Sequence, residues 1–195
     1  MKNRKETNLS YFKFGIYLIE IIPKFIKSVT LEKNELSLEV DSKNIKFILN
    51  FLKNHLNTKF NCLITITAID YPEKEKRFEV NYLLLSLDLN FRIRIYTYTD
   101  EITPLESIIS VYKSASWYER EVWDMFGVFF SGHSDLRRIL TDYGFEGFPL
   151  RKDFPQTGYV EVRYDDEKKY VVYEPLEVAQ EYRAFDFNSS WLQVK

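Results

Sequence analysis

The chain has 195 residues, 45% apolar and 29% charged, which suffices for one compact core with a soluble surface and is too apolar for a disordered chain. Lys+Arg 27 against Asp+Glu 29 leave a net charge of -2, without the basic excess that binding along a nucleic acid needs. One cysteine, Cys62, excludes an internal disulfide and an iron–sulfur cluster held by this chain alone, which takes about four cysteine ligands.

His55 and His133 do not complete a set of three or four zinc ligands at regular spacing. The Gly-rich phosphate and dinucleotide loops, the GxSxG elbow and the HExxH helix are all absent from the sequence. The opening MKNRKETNLS is polar and contains Glu6, unlike a secretory signal or an acid-poor transit peptide, so no cleavable presequence is expected. The apolar run Gly15 to Ile22 is interrupted by Glu20 and closed by Pro23, well short of the roughly 20 residues of a membrane span.

In chain order, a short amphipathic helix is expected from about Ile16 to Lys27, kinked or restarted at Pro23. Leu36, Leu38 and Val40 alternate with Ser37 and Glu39, which is strand periodicity. Ile45, Ile48, Leu49, Leu52 and Leu56 then fall on one helix face over residues 44 to 57, capped by Ser42 or Asn44. Strands are expected at 61 to 69, 78 to 87 and 91 to 99 as an antiparallel meander. In the last of these Phe91, Ile93 and Ile95 oppose Arg92 and Arg94, giving one buried and one wet face.

Thr103-Pro104-Leu105-Glu106 and Ser116-Trp117-Tyr118-Glu119 both fit a capping box, predicting helix starts at each. Gly127 suits the close of the second helix. On that helix Tyr118, Val122 and Met125 are expected toward the core, with Trp117, Glu121 and Asp124 on a different stripe. Glu119, Glu121 and Asp124 could serve as acid and base, yet Arg120 stands four residues from Asp124, and Arg137 and Arg138 follow. Ion pairing is the favoured reading, with Glu119 occupied as a cap and His133 bonding in a turn after Gly132.

Beyond residue 140 the pattern changes. Gly144, Gly147, Pro149, Pro155 and Gly158 are interleaved with Tyr143, Phe145, Phe148, Phe154 and Tyr159, which reads as a strap lying on another surface. A hairpin is expected from Tyr159 to Val162 and Tyr170 to Tyr173 around a charged turn. The resulting fold is α/β in the α+β sense. It has a mixed, largely antiparallel sheet with covering helices over residues 1–140, then an extended partner-binding tail over 141–195.

The ordered strings Ser116-Trp117-Tyr118-Glu119-Arg120-Glu121, Trp123-Asp124-Met125-Phe126-Gly127, Gly132-His133 and Asp135-Leu136-Arg137-Arg138-Ile139-Leu140 resemble one family. It is the complex I subunit called NADH dehydrogenase subunit nine in mitochondria and the C subunit in bacteria. The likeness continues through Gly144 to Pro155, including Arg151-Lys152-Asp153, and through Gly158 to Asp165. It reaches Glu174-Pro175-Leu176-Glu177 and Phe185-Asp186-Phe187. Phe148 stands where the family commonly has histidine.

The resemblance implies a non-catalytic peripheral-arm subunit of NADH:ubiquinone reductase. It would bind no cofactor itself, FMN and iron–sulfur clusters lying in partner subunits, and would sit beside the large quinone-site subunit. The implied place is the matrix-facing arm at the mitochondrial inner membrane. Abundant Phe, Tyr and Lys with four alanines fit an AT-rich, organelle-encoded origin. Trp117, Glu119, Arg120, Glu121, Asp124, His133, Arg137, Arg138, Arg151, Lys152 and Asp153 become structural or interface residues. The equivalent subunit of a related membrane-bound quinone reductase or energy-converting hydrogenase is the alternative.

Overall fold

Pro23 divides the first helix from the first strand. In the computed structural model, which describes residues 4–33 and 35–177, helix α1 (Arg4–Ile21) ends before that proline, and strand β1 (Ile26–Glu32) follows. The helix expected to reach Lys27 therefore stops early, because proline removes a ladder N–H and crowds the preceding turn. Ile26, Val29 and Thr30 are β-branched and suit the hairpin that β1 makes with β2 (Glu35–Val40). Helix α1 lacks a single apolar stripe: Leu18 is buried, whereas Phe12, Ile16 and Ile19 remain exposed.

Strands β3 (Cys62–Asp70), β4 (Phe78–Ser86) and β5 (Phe91–Thr99) form the expected antiparallel meander. Strand β2 joins it by running parallel to β5, with Leu38 opposite Ile95, giving the order β1-β2-β5-β4-β3. Alternation then sorts the faces. Leu36, Leu38, Val40, Val80, Tyr82, Leu84, Ile93 and Ile95 are buried in one core with α1 and α2, while Arg92 and Arg94 take the other face. The mixed, largely antiparallel α+β fold agrees with the reading of the sequence.

Helix α2 (Ile45–Asn54) buries Ile45, Ile48, Leu49 and Leu52, each adding about 2 kcal/mol of apolar burial. It begins from a 3-10 turn at Ser42–Asn44 with no side-chain cap bond, and it stops short of Leu56, which lies exposed. The Thr58 hydroxyl donates to the Leu52 carbonyl at 2.7 Å, closing the helix end before Leu56 can join its apolar face.

The helix expected at Thr103 is also absent. The Asp100 carboxylate accepts the N–H groups of Ile102 and Thr103, and the Leu105 N–H donates to the Phe129 carbonyl instead of to a cap at Thr103. Leu105–Glu106 is a two-residue strand, β6, running parallel to β7 (Phe130–Ser131). Leu105 and Phe130 are both fully buried, so tertiary pairing overrides the local capping pattern.

Helix α3 (Ala115–Phe126) starts two residues earlier than expected, with Ser114 at the cap position, again without a side-chain cap bond. Gly127 ends it in the left-handed region at φ 77° and donates its N–H to the Trp123 carbonyl.

The chain divides into two units, residues 1–154 and 155–195. The first unit extends past the expected boundary at 140 because residues 141–154 bond to its own side chains. In the second unit β8 (Val160–Asp165) and β9 (Tyr170–Pro175) form the expected hairpin, clamped by Arg163 and Glu174 through two bonds of 2.7 Å. The Phe185-Asp186-Phe187 resemblance lies outside the described residues.

Candidate interface around the third helix

Helix α3 carries two carboxylates that are fully buried, Glu119 and Asp124. Burying a carboxylate costs several kcal/mol unless donors replace its water, so their surroundings decide what they can do.

Glu119 reaches sideways to the segment before the helix. Its Oε1 accepts the Ile108 N–H at 2.8 Å and its Oε2 accepts the Ser107 hydroxyl at 2.7 Å. The capping-box role expected for it is therefore not the one observed. His133 lies behind it with a fully buried side chain and Nε2 at 3.9 Å from Oε2. The Asp135 N–H donates to His133 Nδ1 at 2.9 Å, so the neutral ring carries its proton on Nε2, which faces the Ser116 carbonyl at 3.1 Å. This is a turn-bonding histidine.

Burial pushes the Glu119 carboxyl up to about 7, against the lowering effect of the Ile108 N–H and Ser107 hydroxyl. The folded chain then binds a proton here that the unfolded chain releases between about pH 4.5 and 7. Its stabilising contribution is present below that window and lost as pH rises through it. Glu119→Gln will remove this loss. Melting curves at pH 6 and pH 8 should differ less for the variant than for the wild type, and an unchanged difference would refute the assignment.

Asp124 behaves oppositely. Its Oδ2 accepts the N–H groups of Ile139, Leu140 and Thr141 at 3.1, 2.7 and 3.0 Å. Its Oδ1 takes the Thr141 hydroxyl at 2.7 Å, with Arg138 at 3.4 Å. Burial alone would raise its pKa, but the Thr141 hydroxyl and the three backbone donors outweigh it and hold the carboxyl below its ordinary value. The expected Arg120–Asp124 pair does not form. Arg120 instead bonds Asp135 at 3.2 Å and lies over the Trp117 ring at 5.3 Å, while Arg137 meets the same Asp135 at 3.1 Å.

A second polar centre fastens residues 150–153. Arg77 grips Asp70 with two bonds of 2.6 and 2.8 Å and reaches Glu101 at 2.7 Å and Asp153 at 2.9 Å. Asp70 also accepts the Lys152 N–H at 2.8 Å. The Arg77 bond is the main reason Asp70 and Asp153 lie below the usual carboxylate range. Arg151 donates from Nε to the Phe126 carbonyl at 2.6 Å and covers Phe148 and Phe78 with its guanidinium. Arg138 donates to the Gly147 carbonyl at 2.8 Å and also stacks on Phe148.

The predicted residues thus separate by task. Glu119, Asp124, His133, Arg138, Arg151 and Asp153 bind this chain's own segments together. Trp117, 64% exposed, and Glu121 point to solvent, joined by Phe129, Leu140, Leu150 and the 99% exposed Tyr143. Asp70, Arg77, Glu101 and Ser107 were not identified from sequence; their partners lie 7 to 82 residues away, beyond any local pattern.

Residues 38–160 match the family model described as "Respiratory-chain NADH dehydrogenase, 30 Kd subunit". The chain belongs to that family. It is 53% identical over 98% of its length to NADH-ubiquinone oxidoreductase subunit 9 of Reclinomonas americana, spanning 94% of that protein. It is 58% identical to NADH dehydrogenase [ubiquinone] iron-sulfur protein 3 of Marchantia polymorpha, covering 91% of each. Among solved structures it resembles a chain of the membrane-bound sulfane sulfur reductase, an archaeal respiratory membrane complex. There the TM-score is 0.65 and the identity 26%, over 75% of this chain and 86% of that one. Membership of the 30 kDa family makes this chain a peripheral subunit of complex I, whose partners are the other subunits of that complex. Among the described residues no helix is long and apolar enough to cross a membrane.

Proposed function

We propose that the chain is a structural and assembly subunit of the peripheral arm of complex I, beside the large quinone-site subunit, and that it contributes no catalytic residue. The observation that carries this reading is the β8–β9 hairpin. Val160, Val162, Tyr164, Val171 and Tyr173 are each about half exposed and share one face of the two strands, with Tyr170 exposed on the other. A lone two-stranded hairpin is marginal in water, and a face of exposed valine and tyrosine suits burial against another surface. The tail of residues 155–195 is accordingly the partner-binding strap.

The donor set argues against a resident cluster. An iron–sulfur cluster takes about four cysteine ligands, and Cys62 is the only cysteine in the chain. FMN and the clusters of the complex belong to other subunits on this reading. Glu119 and Asp124 have their oxygens filled by donors of the same chain, which favours structural over acid–base roles. The location that follows is the matrix-facing arm at the mitochondrial inner membrane, with synthesis in the organelle. Identity above 50% to complex I subunits favours this over a related sulfur- or hydrogen-metabolising complex.

Val162→Asp tests the strap. The first unit should melt unchanged, while incorporation of the variant into the NADH:ubiquinone reductase complex falls at least tenfold. Complexes that do form should turn over at the wild-type rate. Full incorporation, or normal assembly with abolished turnover, would sink the proposal.

A further inference from the structure

Strand β1 is one edge of the five-stranded sheet. Its ladder to β2 runs Glu32↔Glu35, Leu31↔Leu36, Thr30↔Ser37, Val29↔Leu38 and Ser28↔Glu39. With Glu32 and Glu35 closing a two-residue turn, ladder bonds recur at Thr30 and Ser28. The N–H and C=O groups of Val29 and Leu31 then point off the edge. Among the described residues nothing bonds to them.

Helix α1 overhangs this edge. A Cβ added at Gly15 would lie 3.2 Å from Leu36 and 3.3 Å from Val29, so that side of the helix faces β1 and β2. Tyr17 faces the other way along the sheet, since its hydroxyl accepts from Asn57 and its ring lies 6.1 Å from His55, just past α2. At 100° per residue Phe12, Ile16 and Ile19 form one stripe, pointing sideways away from α2 and out beyond β1. They are 55%, 41% and 43% exposed. The side chains of Val29 and Leu31 lie on this same helix-bearing face and are only half-buried.

A free strand edge with an apolar roof is the seat for an added strand: backbone groups supply the bonds and alternate side chains pack beneath the helix. We propose that an extended segment of a partner subunit binds here as a sixth strand, with apolar residues at every second position toward Phe12, Ile16 and Ile19 and polar ones toward Ser28 and Thr30. Two outward-pointing residues limit the bonded core to about four residues of the partner. A second copy of this chain fits worse. Outward-facing residues must meet outward-facing ones, so antiparallel self-pairing of Val29 with Leu31 centres on Thr30. In that register Lys33 of each copy meets the irregular end of β1 in the other, where Lys27 lies outside the regular ladder and is held by Asp41 at 3.1 Å.

The inference rests on the chain working inside complex I, but not on the strap. Its test is amide exchange at Val29 and Leu31 in the free full-length chain and in the intact complex. The amides should exchange about a hundredfold more slowly in the complex. Val29→Pro, tolerable on an edge, and Ile16→Glu, on the exposed stripe, should leave the free chain folded and lower its retention in the complex. Equal exchange in both states, with the chain present in the complex, overturns this inference alone. Protection already present in a free dimer overturns it in favour of self-pairing. Failure of the chain to co-purify with the complex overturns both this and the proposed function.

Discussion

Asp124→Ala will lower the melting temperature of the free chain by about 10 °C. The carboxylate accepts from three consecutive backbone N–H groups and one hydroxyl, and it is fully buried. Removing it leaves those partly buried donors without their acceptor and Arg138 without its carboxylate. Each lost charge-assisted bond is worth about 1.5–3 kcal/mol, and breaking a buried charged site costs about 3–5 kcal/mol in all. In a chain of this size about 3 °C accompanies each kcal/mol. A drop below a few degrees would mean that the 139–141 turn holds itself.

The acid limb of the stability curve carries the same information. Asp124 is held below its ordinary value, so its contribution is present above the unfolded carboxylate range and lost as pH falls through the folded pKa. Wild-type chain should lose more stability between about pH 5 and pH 2 than Asp124→Asn, whose amide does not titrate. Asp70 and Asp153 add the same trend in both proteins, so the difference between the curves isolates Asp124.

Gly127→Ala is the second large effect. The residue sits at φ 77°, where a side chain is strained by about 1–2 kcal/mol. A Cβ there would also lie 2.6 Å from Arg151 Nη2 and 2.6 Å from Phe148 Cε2. Arg151 cannot withdraw cheaply, since its Nε is bonded to the Phe126 carbonyl and its guanidinium covers Phe148. The two costs together come to about 3 kcal/mol. The diagnostic readout is local: trypsin should cleave the variant after Arg151 or Lys152 faster than the wild type. Equal cleavage would show that the segment yields without detaching.

The sheet was legible because β-strand periodicity is short-range: Ile93 and Ile95 against Arg92 and Arg94 declare two faces within four residues. Gly127 was legible for a similar reason, since one residue type dominates helix ends. The failures share a cause. Thr103 to Glu106 and Ser116 to Glu119 are valid capping patterns locally, but Leu105 pairs with Phe130 and Glu119 bonds Ile108 across the fold. Helix α1 was legible only from about Ile16 onward, because its second apolar side, Phe12 to Ile19, blurred the contrast that reveals a helix. Arg77 could not be found at all, as nothing near it in sequence announces Glu101 or Asp153.

The parallel union of β2 with β5 has a consequence for how the chain is made. Between Val40 and Phe91 the ribosome delivers α2, β3 and β4, none of which hydrogen-bonds to the β1–β2 hairpin. That hairpin must therefore wait, its inner edge open, until β5 emerges and binds it on one side and β4 on the other. Because loop closure over so many residues is slow, Phe91 to Thr99 marks the moment in synthesis at which two separate half-sheets can become one. A nascent chain stalled before that point exposes strand edges to chaperones or to aggregation.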